Sequence, residues 1–158
     1  MDYVNPVKFF FLDASVIVKF VIDEPRSKEA RELAGQGTLR TAQVCLDEAY
    51  GMIKRKWKQK KIDHEKYLNA KNSLRSFTIN NRFHSLEIRR ENIDDFREAK
   101  EIAAKYPNKI SLSDALQIVS MKKGCHSFLG GESQPVLVTA DKELAKVAKV
   151  LGLKVKII

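Results

Sequence analysis

The segment Val7-Lys8-Phe9-Phe10-Phe11-Leu12 is a short, aromatic-rich apolar run that stops at a carboxylate, Asp13. Such a run fits a strand buried on both faces, and strands of that kind belong to parallel sheets covered by helices. A carboxylate abutting it is costly unless it finds a partner. Asp13 therefore constrains the fold and the chemistry together.

The rest of the chain alternates helices with strands. Residues 14–20 read as a first helix, Asp23-Glu24-Pro25 as the start of a second that Gly35 and Gly37 close, and 38–40 as a small strand. Thr41 reads as the N-cap of a third helix whose apolar face is Leu46, Tyr50, Ile53 and Trp57. A fourth helix over 64–78 and a strand over 85–88 follow. Asn92 caps a fifth helix, with Ile93, Phe96, Ala99 and Ala103 on its apolar side and an end near Pro107. Ser111 caps a sixth, with Leu112, Ala115, Leu116 and Val119 inward and Gly124 at its end. Residues 125–134 read as a loop, 136–138 as a strand, 140–151 as a helix closed by Gly152, and 155–158 as a last strand. This order predicts one α/β domain over 1–158, built from βαβ crossovers around a parallel sheet.

Composition narrows the class. With 44% hydrophobic and 31% charged residues, the 158-residue chain is globular rather than disordered. No apolar run approaches the roughly 20 residues of a membrane span, and 7–12 lacks a signal-peptide pattern, which predicts a soluble cytoplasmic protein. Cys45 and Cys125 have no ligand spacing around them, so they read as small buried hydrophobes rather than a zinc site or a disulfide framework. His64, His84 and His126 are also unspaced for metal, and no Ser or Cys sits in a nucleophile elbow. The net charge of +9 fits a polyanion partner as well as plain solubility.

In open parallel sheets, ligands bind at the carboxyl ends of the strands, where helix N-termini also point. Four acids fall on that edge. Asp13 follows the first strand, Asp141 lies just after Val-Leu-Val-Thr139, and Glu48 and Asp114 lie in the first turns of helices that leave the same edge. Clustered carboxylates raise one another's pKa and need a cation to stay ionised together. Oxygen ligands without His or Cys favour Mg²⁺ or Mn²⁺, and one or two such ions would activate a water and stabilise a leaving oxygen at phosphorus. Each acid also has an ordinary reading as a helix cap, most directly Asp114 in Ser111-Leu-Ser-Asp114. Their joint placement on one edge favours a site.

These residues resemble the PIN-domain ribonucleases, and among them the VapC toxins of toxin–antitoxin pairs. The motifs are Phe-Leu-Asp13-Ala-Ser15-Val-Ile-Val-Lys-Phe, Glu48 on a mid-chain helix, Leu-Ser-Asp114-Ala-Leu, and Val-Thr139-Ala-Asp141-Lys-Glu-Leu followed by Leu-Gly-Leu-Lys-Val. The resemblance implies a three-layer α/β/α fold with about five parallel strands. It implies endonucleolytic hydrolysis of RNA, with Mg²⁺ or Mn²⁺ held chiefly through Asp13 and Asp114. Glu48 and Asp141 would complete the acidic pocket, and Ser15 and Thr139 would support ligands by hydrogen bonds. It also implies a cognate antitoxin and a homodimer. A PIN-fold RNA-processing nuclease without an antitoxin, and a catalytically weak protein- or RNA-binding module, stay open at this point. So does the location of the partner surface, for which Val16, Phe20, Leu33, Tyr67 and Leu74 serve equally well as core.

Three features depart from the family pattern: Gly51 one turn after Glu48, the long 125–134 segment, and the run Lys54-Arg-Lys-Trp-Lys-Gln-Lys-Lys61, in which six of eight residues are basic. In that run Lys54, Arg55, Lys56 and Lys58 are candidates for RNA phosphates, although a solvated helix end is the simpler account. Trp57 is a candidate base-stacking ring, with inward packing beside Ile53 as the simpler account.

Overall fold

The computed structural model describes residues 8–79, 86–89, 92–123 and 134–158. Strands β1 (Phe9–Leu12), β2 (Thr38–Ala42), β3 (Leu86–Arg89), β4 (Val136–Thr139) and β5 (Lys154–Ile157) form one sheet in the order β3-β2-β1-β4-β5, every pair parallel. The expected α/β architecture is present, and its apolar first strand lies at the centre. There Phe11 and Leu12 are fully buried between two layers of helices.

The helices are α1 (Ala14–Val21), α2 (Ser27–Glu32), α3 (Gln43–Lys58), α4 (His64–Ile79), α5 (Ile93–Lys105), α6 (Leu112–Lys122) and α7 (Lys142–Val150), with a single 3₁₀ turn at Leu33–Gly35. The chain moves across the sheet in one direction through α1 to α4 and in the other through α5 to α7. Right-handed crossovers therefore put these two groups on opposite faces. Of the residues that could have served either core or surface, Val16, Leu33 and Leu74 are fully buried, while Phe20 and Tyr67 are partly so. None of the described helices is long and apolar enough to cross a membrane.

Several local expectations change. Thr41 is not a cap: it belongs to β2, where its hydroxyl donates to the carbonyl of Leu12 at 2.8 Å and ties the ends of two neighbouring strands. Consequently α3 starts from Ala42, and Glu48 lies in its second turn. Helix α2 starts later than Pro25, because Arg26 takes a left-handed conformation (φ 67°). The turn before it closes when Ser27 Oγ accepts from the Glu24 amide and donates to the Ile22 carbonyl. Helix α5 is capped by Asn92 as expected, but it buries Asp95, Ala99 and Ile102 and leaves Ile93 and Phe96 exposed. Trp57 does not enter the core with Ile53. It is half-buried and stacks on Tyr67 of α4, centroids 4.6 Å apart and planes 8° from parallel, so one ring face is already covered. Gly124, Cys125, His84, His126 and nearly all of the 125–134 segment lie outside the described residues.

A clamp fixes where α3 sits. The nearly buried Lys19 of α1 donates to Glu24 at 3.1 Å and to the Pro25 carbonyl at 2.8 Å, and Lys56 of α3 reaches the other Glu24 oxygen at 2.9 Å. Burial opposes ionisation of Glu24, but hydrogen bonds from Lys56 and Lys19 outweigh it and hold the carboxyl below its ordinary pKa.

The opposite edge of the sheet depends on a close approach at Gly37. A Cβ there would collide with the Lys8 carbonyl, which also accepts the Thr38 amide at 2.9 Å. Gly37→Ala is expected to destabilise the protein by about 1–3 kcal/mol, the usual cost of forcing backbone apart in a packed region. Chemical denaturation of the two proteins measures this directly.

Candidate metal centre

Parallel pairing brings the ends of β1, β2 and β4 to one edge, and Asp13 is the first residue beyond β1. Its amide donates to the Val138 carbonyl of β4 at 3.0 Å, which fixes the backbone. Asp13 holds the N-cap position of α1, yet its side chain makes no cap bond. Instead Oδ2 accepts from Ser15 Oγ at 2.6 Å and Thr139 Oγ1 at 3.0 Å, and Oδ1 accepts from Gln117 Nε2 at 3.0 Å. Ser15 and Thr139 are themselves aimed by backbone, accepting from the amides of Ala140 and Asp141, each at 3.0 Å. Three hydrogen bonds thus satisfy a carboxylate that is only 5% exposed.

Glu48 and Asp114 converge on this group. Together with Asp13, each offers a carboxylate oxygen, and these atoms all lie within 4.8 Å of one another. Ser113 of α6 donates to Glu48 Oε1 and so joins α6 to α3. Asp114 closes a capping box on α6: Oδ2 accepts from the Ser111 amide at 2.8 Å while Ser111 Oγ accepts from the Asp114 amide at 3.1 Å. Among the described residues, Oδ1 of Asp114 has no hydrogen-bond partner. Asp114 thus closes the capping box and belongs to the acidic cluster at the same time.

Asp141 stands apart from the three. Its Oδ1 caps α7 by accepting from the amides of Glu143 and Leu144 at 2.8 and 3.1 Å. It nevertheless lines the same cleft of about 580 Å³, as do Ser15, Asp47, Gly51 and Arg55. Of the candidate RNA-binding cations only Arg55 borders this cleft; Lys54 and Lys58 are exposed on α3, and Lys56 is taken by Glu24.

The electrostatics show a cluster short of positive charge. Burial first, and then the charges of Asp114 and Asp13, raise the pKa of Glu48 despite the Ser113 hydrogen bond. Burial likewise raises that of Asp114, with Asp13 and Asp141 adding to it against the bonds from Ser111. All the donors are hard carboxylate oxygens, which suits Mg²⁺ or Mn²⁺ better than zinc, so the residues present fit such an ion. Cys45 lies beneath the cluster, and burial, followed by the charge of Asp13, pushes its thiol well above its ordinary range, so it is inert as a nucleophile.

Gln117 and Ser113 were not singled out from the sequence. Gln117 had a faint signal as an amide within the apolar stretch Ala115-Leu116-Gln117-Ile118-Val119, one turn after Asp114. It is fully buried, and its Oε1 has no partner among the described residues. An orphaned buried carbonyl of this kind costs about 1–3 kcal/mol, so the donor to Asp13 is held against a local penalty.

Because the fold raises the Glu48 pKa above its ordinary value of 4.5, the folded state keeps this proton when the unfolded chain has lost it. Its contribution to stability therefore falls as pH rises through that window. In EDTA, Glu48→Gln is expected to melt above the parent protein at neutral pH and to lose that advantage near pH 4.5, where the parent carboxyl is protonated. Melting curves across pH check this.

Comparison with known proteins agrees with the topology. Residues 10–150 match the model of the PIN domain family. No curated protein sequence matches the chain. Among solved structures, the fold is similar to PAE2754 from Pyrobaculum aerophilum (TM-score 0.62, 15% identity, covering 97% of this chain and 88% of the other). It is also similar to VapC20 of Mycobacterium tuberculosis, a sarcin-ricin loop cleaving toxin (0.58, 16%, 77% and 90%). A third is VapBC2 from Rickettsia felis, bound to a DNA fragment from its promoter (0.56, 16%, 94% and 97%). With the sheet order, the edge of acids and a family match over nearly the whole chain, this protein belongs to the PIN domain family.

Proposed function

We propose that this protein is a metal-dependent endoribonuclease, acting as the toxin of a toxin–antitoxin pair. The observation that carries the reading is the convergence of Asp13, Glu48 and Asp114 from the N-terminal parts of three separate helices onto one point at the sheet edge. Membership of the PIN family, and the similarity to a toxin that cleaves the sarcin-ricin loop, support RNA as the substrate class. The similarity to VapBC2 supports an antitoxin partner.

Asp13 and Asp114 would hold Mg²⁺ or Mn²⁺, with Glu48 beside them and Asp141 in a secondary role. When bound, such an ion supplies Lewis acidity toward the phosphate and makes a water more acidic. The protein's own part is positional. Ser15, Thr139 and Gln117 fix both oxygens of Asp13, so its orientation does not have to be found when substrate arrives. Ser113 holds Oε1 of Glu48, and Oε2, which has no hydrogen-bond partner among the described residues, would take a proton from an attacking water.

Two outcomes follow. Mg²⁺ is expected to raise the melting temperature of the parent protein and not that of Asp114→Asn. At a hundred times the dissociation constant the gain is about 2.7 kcal/mol, read by calorimetry. Incubation with a structured RNA pool is expected to give cleavage in Mg²⁺ or Mn²⁺, none in EDTA, and none with Asp114→Asn of matched thermal stability. Equal cleavage by both proteins would overturn the site. A small protein encoded beside the gene that copurifies and suppresses cleavage would mark the toxin role; cleavage with no such partner would mark an RNA-processing nuclease.

A further inference from the structure

We propose that Arg55 is a substrate-binding residue of this site, holding an RNA phosphate that neighbours the attacked one. The inference rests on the ribonuclease reading and adds to it the group that lets a polyanion approach the cleft. The problem is electrostatic. Asp13, Asp47, Glu48, Asp114 and Asp141 all border the cleft, and a divalent ion would offset only part of their charge. An RNA backbone would meet a repulsive field at the mouth unless a fixed cation stood there. Among the described residues that line the cleft, Arg55 is the single cation.

Its position fits the task. Arg55 lies two turns beyond Glu48 on α3, so the two share a helix face. Gly51 lies on that face between them, and a Cβ at Gly51 would come 3.6 Å from a guanidinium nitrogen of Arg55. The Arg55 side chain thus folds back along α3 over bare backbone toward the acids. It feels Glu48 electrostatically, yet among the described residues it forms neither an ion pair nor a side-chain hydrogen bond. Its neighbour differs: Lys56 is locked to Glu24, whereas no described residue takes the donors of Arg55. An exposed guanidinium with free donors beside a cleft presents a fork suited to phosphate oxygens.

The surroundings extend the same path. From Lys54 to Arg75, the end of α3 and most of α4, the sequence holds nine Lys and Arg and two acids, Asp63 and Glu65, a surplus of seven in a chain whose net charge is +9. Most of the chain's excess positive charge is therefore concentrated between Lys54 and Arg75, which would draw the strand in before Arg55 fixes its register.

The test measures binding in EDTA, where metal-dependent cleavage is absent, by fluorescence anisotropy of a labelled single-stranded RNA oligonucleotide of mixed sequence. Arg55→Ala is expected to weaken binding about tenfold, as loss of a charge-assisted phosphate contact does. It should also lower the salt slope of the binding constant by about 0.7. Arg55→Lys, which keeps charge without the fork, should fall between. Lys149→Ala, which removes one exposed charge at the far end of α7, is expected to leave binding almost unchanged. Equal effects of Arg55→Ala and Lys149→Ala, or no RNA binding by the parent protein, would overturn the proposal. Cleavage of the same RNA in Mg²⁺ is read separately. Arg55-dependent binding without cleavage would remove the hydrolytic reading alone, and cleavage with Arg55-independent binding would remove only the role of Arg55.

Discussion

The buried carboxylate of Asp13 is the interaction around which the sheet edge is organised. It sits where the central strand ends, and its three donors come from α1, α6 and the end of β4. These elements are distant in sequence, and they meet only when β1 and β4 pair in register. The site is thus assembled by the topology itself, since a shift of the pairing would strand a charge in the core.

Asp13, Asp114 and Asp141 were legible in the sequence because each follows a strand or opens a helix, and local chemistry marks such places. The same holds for Ser15 and Thr139, whose hydroxyls lie two residues from an acid. Gln117 was not legible, since its meaning depends on a partner 104 residues away and its own neighbourhood is plain apolar helix. The inner face of α5 was misjudged for a related reason. Ile93 and Phe96 are the more hydrophobic candidates, but packing against α6 selected the stripe through Ala99 and Ile102. Thr41 illustrates a third case: a residue suited to capping a helix was used instead to join two strand ends.

Helix α3 carries the parts of the site that sequence alone left weakest. Glu48 has no local signature, and its position depends on the Lys19–Glu24–Lys56 clamp at one end and on Ser113 at the other. Along this one helix the charge changes sign, from the acid that faces the cluster to the cations at its C-terminal end. Cations at a helix C-terminus are also favoured by the macrodipole, so the same residues serve the helix and the field around the cleft.

The division of labour within the carboxylates of Asp114 and Asp141 bears on how such a site can change over time. In each, one oxygen anchors its own helix while the residue also borders the cleft. An amide in place of either acid would keep the anchoring oxygen and discard the charge. On the proposed reading, chemistry and architecture are thereby separable by a single nucleotide change, Asp to Asn. On that reading, a lineage of this fold could lose hydrolysis while keeping its scaffold, and could regain it by the same short route.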